Sequence, residues 1–138
     1  MIQELKEIIT SEKFKHFLNN PEMWETLDVD YHPPYVERVW MPWNDGRLCL
    51  HKIEPCERDE ALVHPHPWKS AMYVLPIGGK YEHGCGLRYY RGLMHEDMIT
   101  SVQEFRGDAY YEMTHPDGIH YVRPIGLPVY SVMYSGRS

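Results

Sequence analysis

The sequence predicts an all-β domain, a barrel or sandwich of short strands, behind a short helical region. From residue 35 onward, short apolar stretches are separated by turn residues every eight to twelve residues or so, a spacing typical of small barrels. The 11 tyrosines also suit strands, because an aromatic ring packs on the sheet while its hydroxyl reaches water or a partner. A length of 138 residues fits one domain.

Residues 1–34 are predicted to form a helical cover over a barrel at residues 35–138. Apolar residues recur at helical spacing around Leu5 and again around Phe14, and Ser11 between them is a candidate helix cap. The segment Asn20-Pro21-Glu22 is typical of a helix start, so we expect a short helix through Leu27.

The predicted strands follow from apolar or alternating runs bounded by turn signals such as Asn44-Asp45-Gly46. Gly78-Gly79 is expected to reverse the chain, so that the strand after it pairs back on the strand before it. Residues 92–98 are expected to form an irregular loop over a barrel mouth. In chain order, the predicted strands are Val36–Met41, Arg47–Glu54, Ala61–His66, Lys69–Ile77, Lys80–His83, Leu87–Tyr90, Ser101–Phe105, Ala109–Thr114, Ile119–Ile125 and Val129–Tyr134.

The segment Val63-His64-Pro65-His66-Pro67-Trp68 points most directly to chemistry. Side chains at i and i+2 of a strand project from one face, so His64 and His66 can hold one metal ion together. Neutral imidazole suits Zn, Fe, Ni and Cu. The flanking prolines cannot donate to a sheet ladder, which favours ligand presentation over an ordinary central strand.

A third histidine, His120, follows the turn in Pro116-Asp117-Gly118-Ile119 and begins a later strand. It is the candidate third ligand, with nearby His115 as the alternative.

These motifs resemble those of the cupin superfamily, whose first motif contains His-x-His and a strand ending in Gly and whose second places a late His after Pro-x-Gly. The likeness is nearer still to cupin-like proteins that carry His-x-His-Pro-Trp, here His64 to Trp68, and it covers residues 47–136. The resemblance implies a double-stranded β-helix, or jelly roll, that holds one divalent metal. Cupins include oxygenases, isomerases and non-catalytic binding proteins.

Two departures from the cupin pattern bear on the site. The usual metal-binding Glu would fall near Ser70 or Ala71, and its absence implies a three-histidine site, as in the thiol dioxygenases among cupins. The cysteine that some of those enzymes place five residues after the second His is absent, since Ala71 stands there. The second motif is one residue short, which keeps His115 as a rival of His120.

The function expected from this resemblance is that of a metal-dependent enzyme for a small molecule, a non-haem Fe(II) dioxygenase of cupin type. Fe2+ is the favoured metal, and Zn2+, Ni2+ or Mn2+ also suit the ligands. Zn would favour an isomerase or hydrolase. The alternative is a non-catalytic binding or sensor module with a structural metal or none.

Three residues are candidate substrate contacts. Tyr73 follows the ligand segment, Arg88 could hold a carboxylate with its guanidinium, and Glu82 could contact substrate, act as a fourth ligand or orient an imidazole. Trp68 is a candidate wall of the site. His51, His83 and His95 have no supporting context and are interpreted as surface or loop residues.

Composition excludes several other functions. A net charge of −6 without a basic run argues against a nucleic-acid partner. No apolar stretch is long enough to span a membrane, and the charged N-terminus lacks a signal-peptide core, so a cytoplasmic location is expected. Three cysteines without a CxxC do not suggest a disulfide framework. A homodimer through edge strands is a candidate assembly.

Overall fold

The computed structural model describes residues 1–66, 68–88 and 95–136, in which two short α-helices precede a series of β-strands. Single 3-10 turns lie at Pro21–Met23, Arg58–Glu60 and His95–Met98. The helices are α1 (Ile2–Thr10) and α2 (Glu12–Leu18), and the strands are β1 (Glu25–Thr26), β2 (Val36–Trp43), β3 (Gly46–Ile53), β4 (His64–Pro65), β5 (Ser70–Leu87), β6 (Ile99–Phe105), β7 (Ala109–Met113) and β8 (Gly118–Ser135).

The two helices pack on the outside of the sheet. Ser11 separates them and caps α2, since its Oγ accepts a hydrogen bond from the Phe14 N–H at 3.1 Å. Their apolar faces, which include Leu5 and Phe14, bury against a sheet surface that includes Trp43 and Leu48. None of the described helices is long and apolar enough to cross a membrane.

The predicted helix through Leu27 is wrong. One 3-10 turn ends at Met23, and Trp24 is already extended. Glu25 and Thr26 then pair with β2 as a short strand, so pairing with the sheet overrides the local helix-start signal.

Two long strands, β5 and β8, run antiparallel along each other and bend together in the middle. The predicted reversal at Gly78-Gly79 is therefore wrong, and so is the division of residues 119–134 into two strands. Gly78 has φ +98° and packs so closely that a Cβ would lie 2.2 Å from the Pro128 carbonyl oxygen. The glycine thus produces a bulge that bends β5 without ending it.

The remaining strands extend these two into a barrel. The hydrogen-bonded order is β1-β2-β3-β8-β5-β6, while β7 pairs with the first half of β5 and β4 pairs with the start of β8. The predicted strand at residues 61–66 shrinks to the two residues of β4. The expected strand at residues 87–90 and the loop at 92–98 fall partly outside the described residues.

This arrangement is a cupin-type β-barrel with two short N-terminal helices, as the sequence predicted. Its bent strands leave an open interior lined by one face of β2, β3, β5 and β8. Side chains of the opposite face pack under the helices.

Candidate metal-binding cavity

A cavity of about 400 Å³ occupies the barrel interior, within the roughly 300–1,000 Å³ usual for small-molecule pockets. It opens beside the segments before β2 and around β4. Its walls are mostly apolar, and five histidines lie among the lining residues. The lining includes His32, Val36, Arg38, His51, Ile53, His64, His66, Trp68, Met72, Tyr111, His120, Val122, Ser131 and Met133.

His64, His66 and His120 lie together in the cavity wall. β4 pairs with β8 so that His64 stands directly opposite His120, and the His66 N–H donates to the Gly118 carbonyl at 3.0 Å. The ring centroids of His120 are 4.6 Å from His64 and 4.9 Å from His66, and those of His64 and His66 are 6.3 Å apart. The three rings therefore lie together on one side of the sheet.

Backbone carbonyls fix which nitrogen of each β4-segment histidine carries the proton. His64 Nδ1 lies 3.2 Å from the Leu62 oxygen, and His66 Nδ1 lies 3.1 Å from the Trp68 oxygen and 3.0 Å from Ser70 Oγ, which can also accept. A carbonyl only accepts, so we place the proton of each neutral ring on Nδ1. Both Nε2 atoms are left with a lone pair.

Burial keeps these imidazoles neutral. It lowers the pKa of His64 and of His66, and it lowers the pKa of His120 well below the ordinary value. Neutral imidazole is the form that binds metal ions. Near neutral pH these rings can therefore bind an ion without first releasing the proton that would make them positively charged.

His83 lies directly behind His120, with its Nε2 atom 3.0 Å from His120 Nδ1. The interpretation of His83 as a surface or loop residue is wrong, because its side chain is buried and burial lowers its pKa to about 4. The signal that could have found it is the strand alternation of β5. Tyr81 and His83 share a face, and both rings pack against Tyr111.

The interpretation of His51 as a surface or loop residue is also wrong. It lines the cavity, accepts a hydrogen bond at Nε2 from Arg38 Nε at 2.8 Å, and has Nδ1 3.3 Å from Ser131 Oγ. Burial, followed by the nearby Arg38 charge, lowers the pKa of His51 to about 3. Only the register of β2, β3 and β8 brings these three side chains into one row. The side chain of His95 is outside the described part of the structure.

His120, rather than His115, stands beside His64. His115 is exposed in the turn before β8, where its Nδ1 accepts a hydrogen bond from the Asp117 N–H at 3.0 Å. Its side chain therefore helps to shape the turn.

The structure does not bring Tyr73 or Arg88 to the cavity. Tyr73 is on the β5 face that packs under the helices, where its hydroxyl donates to Asp108 Oδ1 at 2.9 Å; its neighbour Met72 lines the cavity instead. Arg88 is exposed after the end of β5, and its backbone N–H donates to the Asp117 carbonyl.

Glu82 is also absent from the cavity wall, although it is fully buried. It alternates with His83 and so faces the other side of β5. Its carboxylate accepts hydrogen bonds from Arg58 Nε at 3.0 Å, Arg123 Nε at 3.2 Å and the Tyr121 hydroxyl at 2.9 Å. These contacts attach the 3-10 turn at residues 58–60 to the barrel, a structural role that differs from the predicted substrate contact or ligand.

Among residues 1–66, 68–88 and 95–136, no group of three or more His, Cys, Asp or Glu side chains already stands in an arrangement that would hold a metal ion. His120 Nε2 instead lies 3.0 Å from His64 Nε2, at hydrogen-bonding distance. The donor chemistry nevertheless fits a divalent ion. Two nitrogens at this separation can both contact one ion at about 2.0–2.1 Å, and His66 Nε2 carries a third lone pair nearby.

Solved structures share this fold at low sequence identity. Hydroxypropylphosphonic acid epoxidase from S. wedmorenis has 11% identity and a TM-score of 0.63, with 83% of this chain and 56% of that chain aligned. An Fe(II) complex of HppE with the alternative substrate (S)-1-HPP has 10% identity and a TM-score of 0.64, with 83% and 57% aligned. KdgF from Halomonas sp. has 15% identity and a TM-score of 0.54, with 86% and 93% aligned.

The chain thus spans little more than half the length of the epoxidase structures. No protein-family model matches the sequence, and no curated protein matches it either. The structural likeness shows a fold of the cupin type.

Proposed function

We propose that this protein is a mononuclear metal-dependent cupin enzyme that acts on a small molecule, with Fe(II) held by His64, His66 and His120 and O₂ as co-substrate. The observation that carries the proposal is the meeting of three neutral imidazoles in the wall of a cavity of small-molecule size. The Fe(II) form of the epoxidase structure adds support for iron in a barrel of this kind.

Other residues of the chain would orient the three histidine ligands. The Leu62 carbonyl accepts from His64 Nδ1–H, and the Trp68 carbonyl accepts from His66 Nδ1–H. These hydrogen bonds orient the two rings and leave each Nε2 lone pair for the metal ion. When bound, a divalent ion with three neutral protein ligands supplies open positions for substrate and O₂. Apolar walls such as Val36, Ile53 and Val122 would limit water around the reacting groups.

His83 is proposed to position His120. Without metal, His120 Nε2–H can donate to His64, so His120 Nδ1 accepts from His83 Nε2–H. For His120 Nε2 to bind an ion, its proton must move to Nδ1, and the His83 proton must move from Nε2 to Nδ1. His120 Nδ1–H then donates to His83 Nε2. Such an outer hydrogen bond orients a ligand imidazole and raises its basicity.

Substitution of His83 should therefore weaken metal binding without removing a ligand. We expect His83→Phe to lower metal affinity by about 10- to 100-fold, as measured by chelator competition, and to alter the Co(II) absorption spectrum. His83→Gln, whose amide oxygen can accept the same proton, should recover part of the affinity. Equal affinity in the wild type and His83→Phe would remove His83 from this role.

Oxygen uptake tests the proposed reaction. Fe(II)-loaded protein should consume O₂ in the presence of a small thiol, diketone or phenol, measured with an oxygen electrode. His120→Ala should abolish this uptake, while His115→Ala should leave it unchanged because His115 is an exposed turn residue. Tight Zn binding with no O₂ uptake across such a panel would favour isomerase or hydrolase chemistry instead.

A second candidate function is a non-catalytic binding module, and one observation favours it. The lone pair of His64 is satisfied by His120 itself, so the histidine group is stable as a hydrogen-bonded cluster without an ion. A purified protein that holds no metal and an organic molecule in the barrel would support this function.

A further inference from the structure

The cavity has an unusual charge balance for an acidic protein. The chain has a net charge of −6, yet the described residues that line the cavity include no Asp and no Glu. Burial lowers the pKa of four histidines in the lining, His51, His64, His66 and His120, and so keeps them neutral. Among the described residues that line the cavity, Arg38 is the permanently charged group. Arg38 is half-buried, and a partly desolvated positive charge without a carboxylate partner favours an anionic ligand.

Arg38 is held in place by its neighbours across the sheet. Arg38 in β2, His51 in β3 and Ser131 in β8 stand opposite one another in adjacent strands. Arg38 Nε donates to His51 Nε2 at 2.8 Å, and because that nitrogen accepts, His51 Nδ1–H faces Ser131 Oγ at 3.3 Å. The guanidinium is therefore oriented before any ligand binds, which lowers the entropic cost of binding.

The two terminal nitrogens of this guanidinium remain available. Within the described residues Arg38 belongs to no ion pair, whereas Arg58 and Arg123 both pair with Glu82. Asp28 lies near Arg38, but its carboxylate contacts the backbone N–H at 3.4 Å. Since Nε is already used, the Nη1 and Nη2 pair is left to bind a carboxylate end-on with two parallel hydrogen bonds.

We infer that the cavity binds a small organic carboxylate, with Arg38 holding the carboxylate group and the apolar walls holding the rest of the molecule. The apolar part of the cavity lining includes Met72, Val122 and Met133. This inference deepens the proposed function, because it names the substrate class for the same cavity. Arg38, and not the exposed Arg88, is then the residue that binds the carboxylate of the substrate.

Arg38, His64 and His66 line the same cavity, so a molecule whose carboxylate is held by Arg38 would share that cavity with these two rings.

Binding of simple probes to the metal-free protein tests the inference separately from the metal proposal. Benzoate, phenylphosphonate and the neutral isostere benzamide would be titrated while backbone amide NMR shifts are followed. Benzoate should bind and shift amides of β2 and β3, benzamide should bind about 10-fold or more weakly, and phenylphosphonate should bind no better than benzoate. Circular dichroism would establish that each variant used is folded.

Arg38→Met should weaken benzoate binding by about 10- to 100-fold and leave benzamide binding unchanged. Arg47→Met is the matched control, since Arg47 is exposed on the neighbouring strand and stacks on Trp40; benzoate binding should be unaffected. Arg38→Lys keeps the charge without the paired donors and should give an intermediate affinity.

Equal binding of benzoate and benzamide by the wild type, or no binding of either, would overturn the inference without using any variant. Benzoate affinity that is the same in Arg38→Met and in the wild type would also overturn it. Phenylphosphonate binding that is much tighter than benzoate binding would overturn the choice of a carboxylate. Failure of the metal proposal would appear differently, as intact benzoate binding in a protein that takes up no Fe(II) or Zn(II).

Discussion

Replacement of both His64 and His66 with Ala should eliminate metal binding while the barrel stays folded. The double variant loses two of the three proposed ligands, so bound metal should fall from about one ion per chain to the background level. The fold should persist because the buried clusters are aliphatic and aromatic and do not include these side chains. Elemental analysis of untagged protein, together with circular dichroism, measures both outcomes.

His115→Ala is the control for this experiment, because it removes an exposed histidine from the same sequence region. It should retain the metal content of the wild type. A double variant that still binds one ion would place the metal elsewhere in the protein. A double variant that unfolds would indicate a structural metal, which favours the non-catalytic binding module.

Glu82→Gln should lower the free energy of unfolding by about 3 kcal/mol, because it breaks a buried ion pair and leaves a charge without its partner. The Arg123 side chain is only 15% exposed and the Arg58 side chain 62%, so most of the loss should come from Arg123. Urea denaturation measures the change. Glu104→Gln is the matched control, since this exposed carboxylate lies opposite Glu82 on β6, and it should change stability by less than about 0.5 kcal/mol.

The Glu82 carboxylate should also make the free energy of unfolding depend on pH in the acidic range. Burial raises the pKa of Glu82, but hydrogen bonds from Arg58, Arg123 and Tyr121 outweigh it and bring the pKa to about 2. In the unfolded chain the pKa of a Glu is roughly 4.3, so around and below that pH the folded state binds fewer protons than the unfolded state. The contribution of Glu82 is complete above about pH 5 and disappears as the pH falls through 2.

The stability difference between the wild type and Glu82→Gln should therefore narrow as the pH falls from about 5 toward 2. A difference that stays constant over this range would show that Glu82 is not ion-paired in solution. Equal urea midpoints of the two proteins at neutral pH would contradict the structural role altogether.

Local patterns in the sequence were sufficient to predict the all-β class and most of the strands. Strand alternation placed His64 and His66 on one face, and the turn before His120 marked the start of the strand that carries it. Both signals depend on neighbours only a few residues away, which is why sequence reasoning could detect them.

The bends in β5 and β8 could not be predicted in this way. Two adjacent glycines are typical of a tight turn, and the same residues also permit a bulge in a continuous strand. Gly78 takes the second form because the carbonyl of Pro128 on β8 lies where its Cβ would be. That close approach depends on the pairing of two strands, so local sequence carries no sign of it.

The sequence by itself determined the barrel class and the histidine pair, and it left His115 and His120 as two candidates for the late partner. Tertiary structure alone decided that His120 rather than His115 meets His64, a contact across 56 residues of chain. It also placed His83 behind His120, set Arg38 beside His51 and Ser131, and turned Glu82 away from the cavity. The physical reason is that residue spacing within a strand fixes which face a side chain occupies, whereas strand register fixes what that side chain meets.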